Sequence, residues 1–186
     1  MKIRAFIAFP VPAETRAAFA SIQSELKASG ADVKWDAPEK FHVTMKFLGD
    51  VEEPELNLLR RDLIESLGKL SGFELLYSGV GGFPDTDHPR VVWIGAEKNE
   101  TILQVHREIE RAAEVHGFPR EDRSFHVHIT LGRVKGSRNL DRLTARLKSV
   151  TFKPLLVHCA EVHIIRSELK PSGSVYTLLN SIPLAL

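Results

Sequence analysis

Residues 41–48 carry the clearest pattern in the chain: His42, Thr44 and Lys46 fall on one face, and Val43, Met45 and Phe47 on the other. Period two with one apolar side predicts a strand with one buried face, and Gly49-Asp50 predicts the turn that ends it. Residues 125–131 repeat the alternation and predict a second such strand, after which Gly132 and Gly136 loosen the chain. Residues 3–9, dense in branched and aromatic side chains and stopped by Pro10 and Pro12, predict a third. Helical spacing of Phe19, Ile22 and Leu26 predicts a helix over 13–29, closed by Gly30. Leu56, Leu59, Leu63 and Leu67 behind Pro54 predict another, ending near Gly68. Asn99 caps a third with Ile102, Val105, Ile109 and Ala112 on one side and Gly117 at its end. A short helix over 140–147 and strands near 73–80, 90–94, 155–157, 161–166 and 175–179 complete the series; a Gly/Pro/Asp loop (81–89) joins the first two of these strands.

The order helix–strand–helix–strand–strand thus occurs twice. His42 and His128 are 86 positions apart, and the same offset carries the first helix onto the third. An internal duplication is the expectation: one domain over 1–186, built of two lobes that exchange near 95–99. No linker is long enough to separate them. The composition, 43% hydrophobic and 26% charged over 186 residues, is that of a globular chain and excludes disorder. A lone cysteine, Cys159, excludes an internal disulfide framework and any cysteine-based zinc cluster. No apolar run approaches the ~18 residues of a membrane span. The apolar opening, broken at Pro10, is too short for a signal peptide. A reducing, cytoplasmic setting is expected.

Two strings bear chemistry: His42-Val43-Thr44-Met45-Lys46-Phe47-Leu48-Gly49 and His128-Ile129-Thr130-Leu131-Gly132-Arg133. In each, period-two geometry sets a histidine and a threonine on one face, with Cα atoms about 6–7 Å apart, while Val43 or Ile129 locks the strand into the core. A single His-x-Thr is commonplace at a surface. Two copies at equivalent places in a repeated order are not. If the halves pack about a pseudo-two-fold axis, four polar groups meet across a cleft. One neutral and one charged imidazole then suit paired acid–base chemistry, and two hydroxyls suit the oxygens of a phosphate. Arg133 adds a fixed positive charge. Strict alternation places it opposite His128, so it joins the site only if a bulge at Gly132 or the end of the strand allows it.

Paired HxTx motifs, the first continuing as Phe-Leu-Gly and the second as Leu-Gly-Arg, resemble those of the two-histidine (2H) phosphoesterases. Within that superfamily the chain is most similar to the RNA 2′,3′-cyclic phosphodiesterase group, also called 2′-5′ RNA ligases. The resemblance extends to Arg4-Ala-Phe-Ile-Ala, to Pro89-Arg90-Val91-Val92-Trp93, and to Ser167-Glu168-Leu169 with Val175-Tyr176. Relatives often carry proline before the second histidine, where this chain has Val127. The resemblance implies an α+β bilobal fold: two pseudo-symmetric lobes, each with an antiparallel sheet and helices outside, around a central groove. It also implies hydrolysis without metal or cofactor. His42 would protonate the departing 3′ oxygen, His128 would activate water to leave a 2′-phosphate, and Thr44, Thr130 and Arg133 would hold phosphoryl oxygens. The near-symmetry of the motifs leaves the choice of acid and base to the resemblance alone. The same groups serve the reverse 2′-5′ ligation. The implied partner is RNA with 2′,3′-cyclic phosphate ends, tRNA halves among them, acted on by a monomer with no membrane.

Overall charge is only +1, yet residues 118–148 hold Arg120, Arg123, Arg133, Lys135, Arg138, Arg142, Arg146 and Lys148 against three acids. A basic rim beside the second motif suits an RNA backbone, although Arg142 and Arg146 read better as the solvated face of a helix. Lys46 is expected either to meet phosphate beside His42 and Thr44 or to end the strand exposed. Phe9, Trp35 and Tyr176 are candidates for base stacking, Phe9 being better placed for the core. Other readings stay open. His126 and His128 share a face as two metal ligands would, with His106, His116, His158 and His163 as further donors, but in no recognised spacing. A small cyclic nucleotide or oligoadenylate could replace RNA as substrate, decided by loops 81–89 and 170–174. A non-catalytic RNA-end binding module would lack a motif residue, and none is lacking here.

Overall fold

The computed structural model describes residues 2–122, 124–171 and 173–185. Its strands are β1 (Lys2–Pro10), β2 (Val33–Trp35), β3 (His42–Glu52), β4 (Phe73–Phe83), β5 (Val91–Ala96), β6 (His128–Val134), β7 (Leu155–Cys159), β8 (Glu161–Lys170) and β9 (Gly173–Pro183). Its helices are α1 (Ala13–Lys27), α2 (Glu53–Leu67), α3 (Glu100–Val115) and α4 (Leu140–Ser149), with a 3-10 turn at Pro38–Lys40.

Two antiparallel four-stranded sheets, β3-β1-β8-β9 and β6-β5-β4-β7, meet where β3 touches β6. They are joined by one rung, Val43 to Ile129. Beyond it the edge of β6 pairs instead with β2, from Val33↔Val134 to Trp35↔Gly132. Each sheet draws on both halves of the sequence, because β4 crosses to pair with β5 and β7 while β8 returns to pair with β1. The lobes are therefore interlocked, and neither is one sequence half.

The helices form where the apolar spacing predicts them. Asn99 caps α3, its Oδ1 accepting the Ile102 N–H at 2.9 Å. Pro54 sits in the first turn of α2, where a missing N–H costs nothing, between Glu53 and Glu55, whose charges suit the positive end of the helix dipole. Helix α1 packs on α4 and α2 on α3. Their buried faces, with Phe19, Leu59, Ile109 and Leu143, share one core with Val43, Ile129, Ile7 and Val92 of the sheets. The helices thus press on the side of β3 and β6 that carries Val43 and Ile129, leaving His42, Thr44, His128 and Thr130 on the other. No helix among the described residues is long and apolar enough to cross a membrane.

Two expectations change, and two short elements appear that the pattern does not predict. Gly49-Asp50 does not end β3: Gly49 takes φ +71 at a bulge opposite β1 and the strand runs on to Glu52. The second motif strand begins only at His128, residues 124–127 lying outside a ladder. The short β2 and the 3-10 turn have too few residues to show a period. Arg123 and Ser172, which belong to the expected basic rim and to the 170–174 loop, lie outside the described residues.

Candidate active site

The antiparallel rung between Val43 and Ile129 sets His42 across from Thr130 and Thr44 across from His128. The two histidines are thus diagonal neighbours about a local two-fold axis. Their side chains are anchored alike. His42 Nδ1 lies 2.6 Å from the carbonyl oxygen of Lys40, and His128 Nδ1 lies 2.8 Å from that of His126. A carbonyl only accepts, so each Nδ1 carries its hydrogen, and the neutral ring is left with a basic Nε2. Thr44 Oγ1 sits 3.0 Å from His42 Nε2 and donates to it when the ring is neutral. Neither Nε2 of His128 nor the Thr130 hydroxyl has a protein hydrogen-bond partner among the described residues.

Directly after each threonine comes a bulge. On β3, Thr44 pairs with Ala8 and Lys46 with Ile7, so Met45 is the extra residue. On β6, Thr130 pairs with Trp93 and Gly132 with Val92, so Leu131 is the extra residue. An added residue reverses the alternation beyond it. Arg133 consequently joins the face of His128 and Thr130, as the conditional expectation required, though the bulge sits one residue before Gly132. The same reversal corrects both expectations for Lys46. It is buried, with Nζ donating to Glu110 Oε2 at 2.8 Å and to the Pro119 carbonyl at 2.6 Å, so it is neither exposed nor placed for phosphate. Phe47, expected in the core, is 61% exposed.

A cavity of about 440 Å³ is lined by Thr44, His128, Thr130 and Arg133, with Phe47, Phe83, Phe125 and His126 as its aromatic walls. His42 lines an adjoining recess of about 190 Å³ with Arg16, Lys40 and Tyr176. Burial favours the neutral form of both imidazoles. Burial lowers His42 to about 4, against its hydrogen bond to Lys40, with Arg133 and, once it is protonated, His128 adding to the effect. Burial also lowers His128, again with help from neighbouring His126 and Arg133. That each histidine feels the other or the shared Arg133 places all three in one electrostatic field.

The remaining candidates sort by packing. Phe9 is buried in the core and Trp35 packs against it. Tyr176 stands edge-on to His42, ring centroids 5.6 Å apart. Arg142 and Arg146 lie on the exposed face of α4. Arg120 and Lys148 are held by Glu114 and Asp87. Of the histidines weighed as metal donors, His116 pairs with Asp62, His163 with Glu161, and His106 stacks on Phe125 at 4.1 Å. His126 stays beside His128, ring centroids 5.7 Å apart. Among the described residues no three His, Cys, Asp or Glu side chains converge to hold a metal ion. Phe83 and Phe125 were not legible as site residues, since nothing in the local pattern separates them from core phenylalanines.

A curled pair of antiparallel sheets carrying two mirrored His-x-Thr strands at their seam defines the class of two-histidine phosphoesterases. The description "LigT like Phosphoesterase" matches the chain twice, over residues 9–93 and 94–176. The chain belongs to that family. It is 38% identical over 180 residues to the RNA 2′,3′-cyclic phosphodiesterase of Methanothermobacter thermautotrophicus, spanning 95% of this chain and 96% of that protein. It is 30% identical to the protein of the same name from Thermotoga maritima, over 95% and 93% of the two chains. Among solved structures, one from Thermus thermophilus superposes with a TM-score of 0.80 at 30% identity, covering 98% of each chain. E. coli LigT complexed with 3′-AMP does so with 0.81 at 23% identity over the full length of both, a likeness of fold.

Proposed function

We propose that this protein hydrolyses RNA 2′,3′-cyclic phosphodiester ends to 2′-phosphomonoesters by metal-independent acid–base catalysis. The observation that carries the reading is the seam itself: one backbone rung sets two imidazoles and two hydroxyls on one face, and the bulge after Thr130 adds the Arg133 guanidinium to it, with His42 at an adjoining recess. The names of the relatives agree with it.

In this mechanism His128 Nε2 takes a proton from water as the water oxygen bonds to phosphorus. The bond from phosphorus to the 3′ oxygen breaks, and that oxygen takes its proton from Nε2 of a protonated His42. The two Nδ1–H bonds to backbone carbonyls keep both Nε2 atoms aimed at the substrate throughout. Thr44, Thr130 and Arg133 bind the non-bridging oxygens, where a fixed cation stabilises added negative charge. Proton exchange with solvent then resets the pair. The direction, His42 as acid and His128 as base, follows the family resemblance. With the 5′ hydroxyl of a second RNA in place of water, the same groups join the two: His128 takes the hydroxyl proton, its oxygen bonds to phosphorus, and the 3′ oxygen leaves with a proton from His42. The protein acts as a cytoplasmic monomer on RNA fragments such as tRNA halves, a setting in keeping with its one free, buried cysteine.

The test is incubation of the purified protein with a short RNA ending in 2′,3′-cyclic phosphate, with and without excess chelator. A 2′-phosphate product formed equally in both is expected. Loss of turnover in chelator would overturn the metal-free mechanism, and a 3′-phosphate product would overturn the roles of the two histidines.

A further inference from the structure

Beyond Arg133 the open face continues onto β2. Lys34 is the direct cross-strand partner of Arg133, so two cations stand side by side on one face, where like charges weaken a sheet. Lys40, from the 3-10 turn, comes to the same place. The Nζ atoms of Lys34 and Lys40 lie 3.7 and 3.9 Å from the point where a Cβ on Gly173 would sit, at the start of β9. Neither lysine is in an ion pair among the described residues, unlike Arg120 and Lys148 of the expected basic rim. The carboxylate that feels all three cations is Asp36. Arg133, Lys40 and Lys34 each lower its pKa, and burial raises it by more. Glu39 lines the recess on the His42 side of Lys40. Three cations against Asp36 and Glu39 leave a net positive patch that begins at the guanidinium assigned to the reacting phosphate.

We infer that Lys34 and Lys40 form a second anion subsite, which takes the phosphodiester one nucleotide upstream of the cyclic end. This rests on the function proposed above and narrows it: the substrate is an RNA chain, and a mononucleoside cyclic phosphate lacks the group the subsite binds. Tyr176, with Lys40 Nζ 5.8 Å from its ring centroid, stands between this patch and His42. The path from the cyclic phosphate to the upstream one therefore runs along an aromatic face.

The experiment compares kcat/KM for adenosine 2′,3′-cyclic phosphate with that for a short oligoribonucleotide ending in the same group, across a range of salt. Wild-type, Lys34→Gln and the charge reversal Lys34→Glu are each assayed. For the oligomer, Lys34→Gln is expected to lower kcat/KM roughly tenfold at low salt. It should also flatten the log–log salt dependence by about 0.7, the share of one phosphate contact on a single strand. Lys34→Glu should lower it further, and the mononucleotide values should stay within about twofold. Adding Lys40→Gln should lower the oligomer-to-mononucleotide ratio again. Equal effects on both substrates, or none on either, would overturn the subsite while leaving the hydrolase reading intact. Absence of turnover on both substrates by the wild-type protein would overturn the hydrolase reading, and the subsite with it.

Discussion

The two motif strands, β3 and β6, are built to one plan and loaded differently. Both anchor the imidazole through the carbonyl two residues back, and both place a bulge just after the threonine. Past the bulges the resemblance ends. Where β6 has Gly132 and Arg133, β3 has Lys46 and Phe47. Lys46 turns inward to a buried ion pair, and Phe47 lines the cavity opposite a guanidinium. His42 is capped by its threonine and lies against Phe6 and Tyr176, whereas His128 lines the larger cavity beside Phe83 and His126. A duplicated scaffold thus supplies two similar bases, and the residues around them differ: a threonine caps His42 in its recess, while His128 shares the cavity with Arg133. That asymmetry allows a pair of like groups to take unlike parts.

Removing either imidazole tests what the strands share. His42→Ala and His128→Ala should each reduce turnover by about 10²–10⁴-fold with circular dichroism unchanged; near-normal turnover in either would end the two-base mechanism. Lys46→Met tests a feature of β3 alone. Leaving Glu110 buried without its cation should cost about 3–5 kcal/mol in urea unfolding, and the double variant with Glu110→Leu should recover most of it. Arg133→Met tests the cationic side: losing a charged hydrogen-bond donor should cost about 1.5–3 kcal/mol in kcat/KM, while Phe47→Met should leave the phosphate contribution untouched. Thr44→Val and Thr130→Val should each cost about 1–2 kcal/mol. Only the former should also shift the pH profile, since only Thr44 bonds an imidazole.

The smallest effect expected is a displacement along the pH axis. The free enzyme is active when one imidazole is protonated and the other neutral. With His42 lowered to about 4 and His128 also lowered, kcat/KM should be bell-shaped with its maximum below pH 6.5. Activity falls on the alkaline side as the acid loses its proton, and on the acid side as the base gains one. Arg133→Gln removes a positive charge that lowers both groups, so its maximum should move to higher pH. A maximum that stays put would show that Arg133 does not set these two titrations.

Much of this was readable along the chain because it is local. A period of two names the strands that carry His42 and His128, a period of 3.6 names the helices behind them, and Asn99 and Pro54 mark helix starts by chemistry confined to one turn. Repetition at a fixed offset then singled out four residues that one copy could not. Bulges are different. Each adds one residue against a partner strand, so it exists only once β1 lies beside β3 and β5 beside β6. For that reason strict alternation misplaced Lys46 and Phe47 and left Arg133 undecided. Which lobe receives β4 and β8, how burial favours the neutral form of both imidazoles, and which cations meet around Asp36 are likewise consequences of segments far apart in sequence. Side-chain period is a property of a strand by itself; the face it finally presents, and the charge that face encounters, belong to the strands packed around it.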